Sequence, residues 1–164
     1  MSIFKNDCPV PFEQQPINEY LSLKKSYLFS WSVATKQTFI LGFVLIFMSI
    51  FILVSCILFP FYSKIHLIRI LVVNFAISNI IFILVLTRLY LGWSYVVKRL
   101  LSATIFYEES GWYDGQVWVK TSDYLMQDRL VGLYQVIPFI ARIKYTFIFV
   151  VFNCILSYLL NGLF

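Results

Sequence analysis

"FILGFVLIFMSIFILVSCILF", Phe39 to Phe59, runs for 21 residues without a charge. As an α-helix it reaches about 31 Å, enough to cross a hydrocarbon core of about 30 Å. A helix that is apolar all round has no wet face to offer, so its surroundings must be apolar too. The stretch predicts a transmembrane helix, and the rest of the chain follows from it.

Composition points the same way. Of the 164 residues, 60% are apolar and only 13% are charged, with a mean hydropathy of +0.82. Soluble domains run at about 45–50% apolar and about 25% charged. A water-soluble chain of this size has too much surface per volume to hide the excess. Lipid is the predicted solvent for most of the chain.

Two further stretches fit. "ILVVNFAISNIIFILVLT" (Ile70 to Thr87) is bracketed by Arg69 and Arg88, and "TFIFVVFNCILSYLLNGLF" (Thr146 to Phe164) is the third. The expected organisation is an N-terminal segment (1–38), a first span (39–59), a short loop (60–69), a second span (70–87), a polar module (88–145) and a third span (146–164). The fold class is a mainly α membrane protein: three transmembrane helices with a small module of one β-hairpin and one amphipathic helix on one face.

The basic residues are one-sided. Lys5, Lys24, Lys25 and Lys36 precede the first span, and Arg88, Lys98, Arg99, Lys120, Arg129, Arg142 and Lys144 lie between the second and third. Only Lys64 and Arg69 fall in the opposite loop, and all eight acids lie in the two basic segments. Positive loops stay on the side of synthesis. The N-terminus is expected inside, on the same face as residues 88–145; residues 1–38 hold no apolar run of the kind that opens a secretory signal. Tyr27, Phe29, Trp31, Tyr90, Trp93, Tyr95 and Tyr145 flank the spans on that face, where aromatic rings anchor helices at headgroup depth.

Within the spans, small and polar residues form stripes. Gly42, Ser49 and Cys56 recur every seven residues; Asn74 and Ser78 are four apart, with Asn79 beside them; Asn153, Ser157 and Asn161 are also four apart. Helices in lipid associate through such residues, so the stripes predict one packing seam. A polar path for a substrate or proton is the alternative, but such paths use ionisable groups, and none lies mid-span.

In the polar module, "GWSYVVKRLLSAT" reads as a short interfacial helix. "TIFYEE" and "QVWVK" read as two strands joined through the turn-rich "SGWYDG". In "TSDYLMQDRLVGLYQV", Ser122 or Asp123 can cap a helix whose apolar face is Leu125, Met126, Leu130, Leu133 and Tyr134, lying against the bilayer or the hairpin, with Pro138 as its end. Trp112, Tyr113, Asp114, Trp118 and Arg129 are the candidate partner contacts, because Trp, Tyr and Arg dominate binding energy at interfaces. The competing reading is that they pack the hairpin onto the helix and the headgroups. At the N-terminus, Pro9, Pro11 and Pro16 favour an extended start, and "INEYLSLKKSYLF" a surface helix.

Three motifs carry a resemblance. "CPVPFEQQPINEY", "RLLSATIFYEESGWYDGQVWVK" and "DRLVGLYQV" together resemble the hypothetical chloroplast reading frame 36 family, from about Asp7 onward. The resemblance implies a plastid membrane protein, in the thylakoid or the inner envelope, and no particular reaction; the side of synthesis is then the stroma, and the basic residues place the N-terminus and a stroma-facing module there. Thr121 stands where the family pattern leads one to expect proline.

The sequence favours binding over catalysis. Glu108 and Glu109 are adjacent and point to opposite faces of a strand, and Glu13, Asp114 and Asp128 could meet only through the fold. Cys8 is a possible thiol nucleophile, but the single histidine, His66, is expected across the membrane, which disfavours a Cys/His arrangement. Cys8, Cys56 and Cys154 have neither a CxxC spacing nor an even count, and no metal-ligand cluster is visible. One histidine cannot supply a bis-His haem, and the net charge of +5 is dispersed along span flanks, unlike a nucleic-acid footprint. No cofactor, metal or nucleic acid is expected. The expected partners are the bilayer and a membrane protein complex, which the chain would serve as an accessory or assembly factor. A small membrane enzyme or transporter using the polar stripes is the alternative.

Overall fold

The computed structural model describes residues 8–61, 67–108 and 115–163. Helices dominate: α1 (Pro16–Lys25), α2 (Tyr27–Val33), α3 (Lys36–Leu58), α4 (Leu67–Leu101), α5 (Ser122–Val131) and α6 (Ile137–Leu163), with a π-helical turn (Gly132–Val136) joining the last two. β1 (Thr104–Glu108) and β2 (Gly115–Val119) form an antiparallel hairpin in which Phe106 faces Val117 and Ile105 faces Trp118. Three helical stretches are long and apolar enough to cross a membrane.

α4 is the axle, and α3 and α6 both pack on it. Its 35 residues make a rod of about 52 Å, far longer than a hydrocarbon core of about 30 Å. The expected break after Thr87 is absent, and "GWSYVVKRLL" simply continues the helix. The reason lies on its inner face. Phe82, Leu86, Leu89, Trp93, Val96 and Leu100 are all fully buried. Their steps of four and three keep one stripe on one side. Arg88, Lys98 and Arg99 do not sit on that stripe, so they leave the helix intact.

The second departure is at Pro138. It does not end a helix, because α5, the π-turn and α6 form one stacked rod. The Ile137 amide bonds back to the Gly132 carbonyl, five residues earlier, and Pro138 follows as the second residue of α6. A wide turn of this kind absorbs a residue that cannot donate a helical hydrogen bond. α5 starts after Thr121, which makes no side-chain cap, so neither Ser122 nor Asp123 takes that role. At the other end, Pro16 occupies the first turn of α1, where a missing amide costs nothing.

The seven-residue stripe on α3 is not its contact face. Ser49 is exposed and bonds its hydroxyl back to the Ile46 carbonyl, Cys56 is exposed, and Gly42 lies under the Trp31 ring of α2. Steps of seven drift by about 20° on a straight helix, whereas aromatic bulk sets the contact here. Phe43 and Phe47 pack edge-on against Phe82, and Phe47 also meets Phe75. The polar tie between α3 and α4 is a hydrogen bond of 2.6 Å from Asn74 Nδ2 to Ser55 Oγ. Asn74 and Ser78 are fully buried, Asn79 and Ser157 nearly so, and Asn153 is half-buried. Ser78, Asn79, Asn153 and Ser157 all donate to carbonyls of their own helix. The Asn161 side chain lies outside the described residues.

Trp93 also departs from the sequence reading. It is not a headgroup anchor but the centre of the core, with Tyr20, Phe29 and Phe139 around its ring. Its indole donates to Ser32 Oγ at 2.9 Å, and Ser32 in turn donates to the Phe29 carbonyl, which satisfies a group that would be costly to bury alone. Tyr27, Tyr90, Tyr95 and Tyr145 remain exposed.

Candidate functional site

Beyond the apolar stretches, the N-terminal segment, the upper end of α4, the hairpin and α5 converge into one polar module. Two cations on or beside α4 organise it.

Arg99 is the first. Its guanidinium is ion-paired with Glu19 of α1 and donates to the Gln14 carbonyl at 3.0 Å, the Phe106 carbonyl at 3.2 Å and the Tyr95 hydroxyl at 3.1 Å. The planar fork of arginine suits such divergent acceptors. One side chain therefore holds the N-terminal segment, β1 and α4 together. Gln14 completes the seam: its amide nitrogen donates to the Glu108 carbonyl and its oxygen accepts from the Glu108 amide, both at 3.0 Å. The side chain thus pairs with the free edge of β1 as a neighbouring strand would. Edge strands left bare are sites of unwanted pairing, and here the edge is covered from within the chain. Beneath this seam Val10, Ile105 and Tyr107 form a small core with Cys8 and Trp118 against it.

Lys120 is the second. Its side chain is fully buried and lies 2.6 Å from an Asp128 carboxylate oxygen of α5. It also donates to the Arg99 and Leu100 carbonyls at 2.9 and 3.1 Å. Those are orphan carbonyls at the end of α4, where the helix dipole favours positive charge. A third cross-tie runs from the Tyr20 hydroxyl to Gln135 Oε1 at 2.8 Å. Burial pushes both the Glu19 and Asp128 carboxyls above the ordinary carboxylate range, with Arg99 and Lys120 respectively pulling them back.

The three sequence motifs thus meet at one place: Gln14 and Glu19 from the first, Arg99, Phe106, Glu108 and Lys120 from the second, Asp128 and Gln135 from the third. Sequence reading passed over Gln14, Glu19, Arg99, Lys120 and Asp128 as a network. Paired residues 80 positions apart, as Glu19 and Arg99 are, leave no local spacing to find.

The expected contact residues are scattered. Trp112, Tyr113 and Asp114 lie outside the described residues, as does His66. Trp118 is half-buried against the small core and meets the Tyr124 ring edge-on, while Arg129 is exposed. The apolar face of α5 holds the larger surprise. Asp128 is its only buried residue, and Met126, Leu130, Leu133 and Tyr134 are 69%, 55%, 48% and 76% exposed. Leu125 of the same face is half-buried; the Lys120 pair sets the roll of the helix so that the rest of the face, from Met126 on into the π-helical turn, looks outward. Phe106, Val117 and Val119 on the outer face of the hairpin are exposed as well.

Chemically, the half-buried Glu19 and the buried Asp128 carboxylates are each held by a cation, and among the described residues no three His, Cys, Asp or Glu side chains gather into a metal-binding group. Cys8 is half-buried and lies 3.9 Å from the Gln15 amide nitrogen. The arrangement is one that holds surfaces in place.

Comparison with known proteins identifies the lineage of this architecture. Residues 8–149 match the model of the CGLD27-like family, described as conserved in the green lineage and diatoms 27, and the chain belongs to that family. It is 48% identical over 147 residues to the uncharacterized protein ycf36 of Porphyra purpurea, covering 89% of each chain. It is 49% identical over 142 residues to the ycf36 protein of Cyanophora paradoxa, covering 85% of this chain and 88% of that one. A protein of Arabidopsis thaliana, conserved in the green lineage and diatoms 27, chloroplastic, is 40% identical over 145 residues, which are 87% of this chain and 44% of the plant protein. The family resemblance read from the three motifs is the one these matches give. No solved structure matches.

Proposed function

We propose that the chain is an integral plastid membrane protein whose polar module, on the stromal side, docks another membrane protein complex as an accessory or assembly factor. The apolar length of three helical stretches supports membrane insertion, and the chloroplastic relative supports the compartment. The one-sided distribution of basic residues supports the orientation.

The observation that carries docking is the outward apolar face of α5. Met126, Leu130, Leu133 and Tyr134 precede Arg142 and Lys144, the cations that mark the entry of α6 into lipid. Exposed apolar patches mark interaction sites, and the exposed Arg129 beside this one supplies a polar rim of the kind interfaces use. A partner with an apolar patch and acidic margin is the complement.

The test is native-gel migration of the protein from mildly solubilised membranes, with Leu130→Glu and Tyr134→Glu alongside. Docking predicts a large complex for the native chain and a shift toward the free protein in both variants, with unchanged membrane retention. Identical migration of all three as a free chain would overturn it.

A further inference from the structure

We infer that a groove between α4 and α6 holds one anionic lipid, its head group at Lys144 and Tyr90 and one acyl chain along Phe147 and Ile148. The inference rests on the membrane reading above.

The groove is lined by Thr87, Tyr90, Lys144, Phe147 and Ile148 and encloses about 290 Å³. Its position is telling. Thr87 is the last residue of the second apolar stretch and Thr146 the first of the third, so the groove straddles the boundary where hydrocarbon meets headgroups. The Phe147 and Ile148 end lies on the hydrocarbon side, and Ile148 is 56% exposed along it. Lys144 and Tyr90 lie on the headgroup side, both exposed.

Charge decides the ligand class. Among the described residues Lys144 makes no ion pair or hydrogen bond, since the two ion pairs found there are Arg99–Glu19 and Lys120–Asp128. Arg88, one residue beyond Thr87, is exposed at the same level, and no acid occurs in α4 or α6. A cation left without an internal counter-charge at headgroup depth, above an apolar furrow between helices, is complementary to an anionic head carrying an acyl chain. The Tyr90 hydroxyl can donate to the same head group. Size argues against a large ring ligand, because small-molecule pockets run from about 300 to 1,000 Å³, and this groove, at about 290 Å³, lies just below that range. A single linear chain fits such a furrow.

The test is native mass spectrometry of the full chain in neutral detergent, titrated with phosphatidylglycerol or with a neutral galactolipid of the same acyl chains. The first phosphatidylglycerol is expected to bind at markedly lower concentration than the galactolipid. Lys144→Gln should weaken that binding about fivefold, the worth of one basic residue near anionic lipid, and Lys36→Gln, a cation flanking another span, should leave it unchanged. A second measurement needs no variant: phosphatidylglycerol, but not galactolipid, should slow amine labelling of Lys144 in the native protein. Equal binding of the two lipids, equal effects of the two lysine variants, or unprotected Lys144 would each overturn the site. Release of the protein from membranes by alkali would instead overturn the membrane reading, whereas retention with no lipid preference would overturn this inference alone.

Discussion

The buried Lys120 ammonium lies 2.6 Å from the Asp128 carboxylate and at the same time caps the carbonyls of Arg99 and Leu100. One cation therefore fixes the hairpin, the end of α4 and the roll of α5. Removing one partner of such a pair leaves an uncompensated buried charge. Lys120→Met is expected to cost about 3 kcal/mol at neutral pH, because it leaves the desolvated Asp128 carboxylate alone, and the loss is read as a fall in melting temperature of the solubilised protein. Lys120→Met with Asp128→Leu should regain more than half of that loss, because no buried charge is then left alone. Equal losses in the single and double variants would contradict this account.

The same carboxyl has a pH signature. Burial raises the Asp128 pKa in the folded state above its unfolded value, against the pull of Lys120. The native state then binds the proton more tightly than the unfolded chain, so this group's contribution is fullest in acid and is lost as pH rises from the ordinary carboxylate range, about 4, through the folded value. Glu19 is shifted the same way, first by burial, with Arg99 opposing. Melting temperatures followed upward from pH 4 should carry this declining component, and Asp128→Asn with Glu19→Gln should remove it. An unchanged slope in that double variant would show that neither group is linked to folding.

Gln14 closes the edge of β1 through two bonds of 3.0 Å. Gln14→Ala should therefore raise hydrogen exchange at the Glu108 amide by about tenfold, equivalent to losing roughly 1–1.5 kcal/mol of local protection. Arg99→Lys should loosen the whole N-terminal segment, because an ammonium cannot replace the guanidinium fork. Limited proteolysis between residues 8 and 26 would report it. Protection equal to that of the native chain would mean the segment is held elsewhere.

Gly92 gives a packing test. A Cβ there would come within 2.6 Å of the Phe29 ring, and that ring packs edge-on against Trp93. Gly92→Val should cost about 1–3 kcal/mol through overpacking, and Phe29→Leu in the same chain should relieve part of it. Non-additive melting temperatures would confirm the contact, and simple addition would deny it.

The Glu19–Arg99 pair also makes a topological statement, since α1 and the far end of α4 must share one end of the molecule. Impermeant amine labelling of intact vesicles should modify Lys24 from the same side as Lys98. Labelling of the two from opposite sides would be incompatible with the pair.

The sequence by itself determined the number of apolar rods long enough to cross a membrane, because hydrocarbon length and the absence of charge are local properties that survive any tertiary arrangement. It also determined the paired strands, because β-branched and aromatic stretches stand on either side of the glycine-bearing "SGWYDG". Only the tertiary structure decided where α4 stops, since Trp93, Val96 and Leu100 continue a buried stripe that the neighbouring charges obscure. Only it decided that Trp93 is core, that Pro138 sits inside a rod opened by a π-turn, and that the contact face of α3 is aromatic. The outward roll of α5 is the clearest case: hydrophobic periodicity says that a helix has an apolar face but not which way it turns. Here a buried lysine, eight residues before its aspartate, made that choice, because an unpaired charge in the interior costs more than a few methyl groups left facing out.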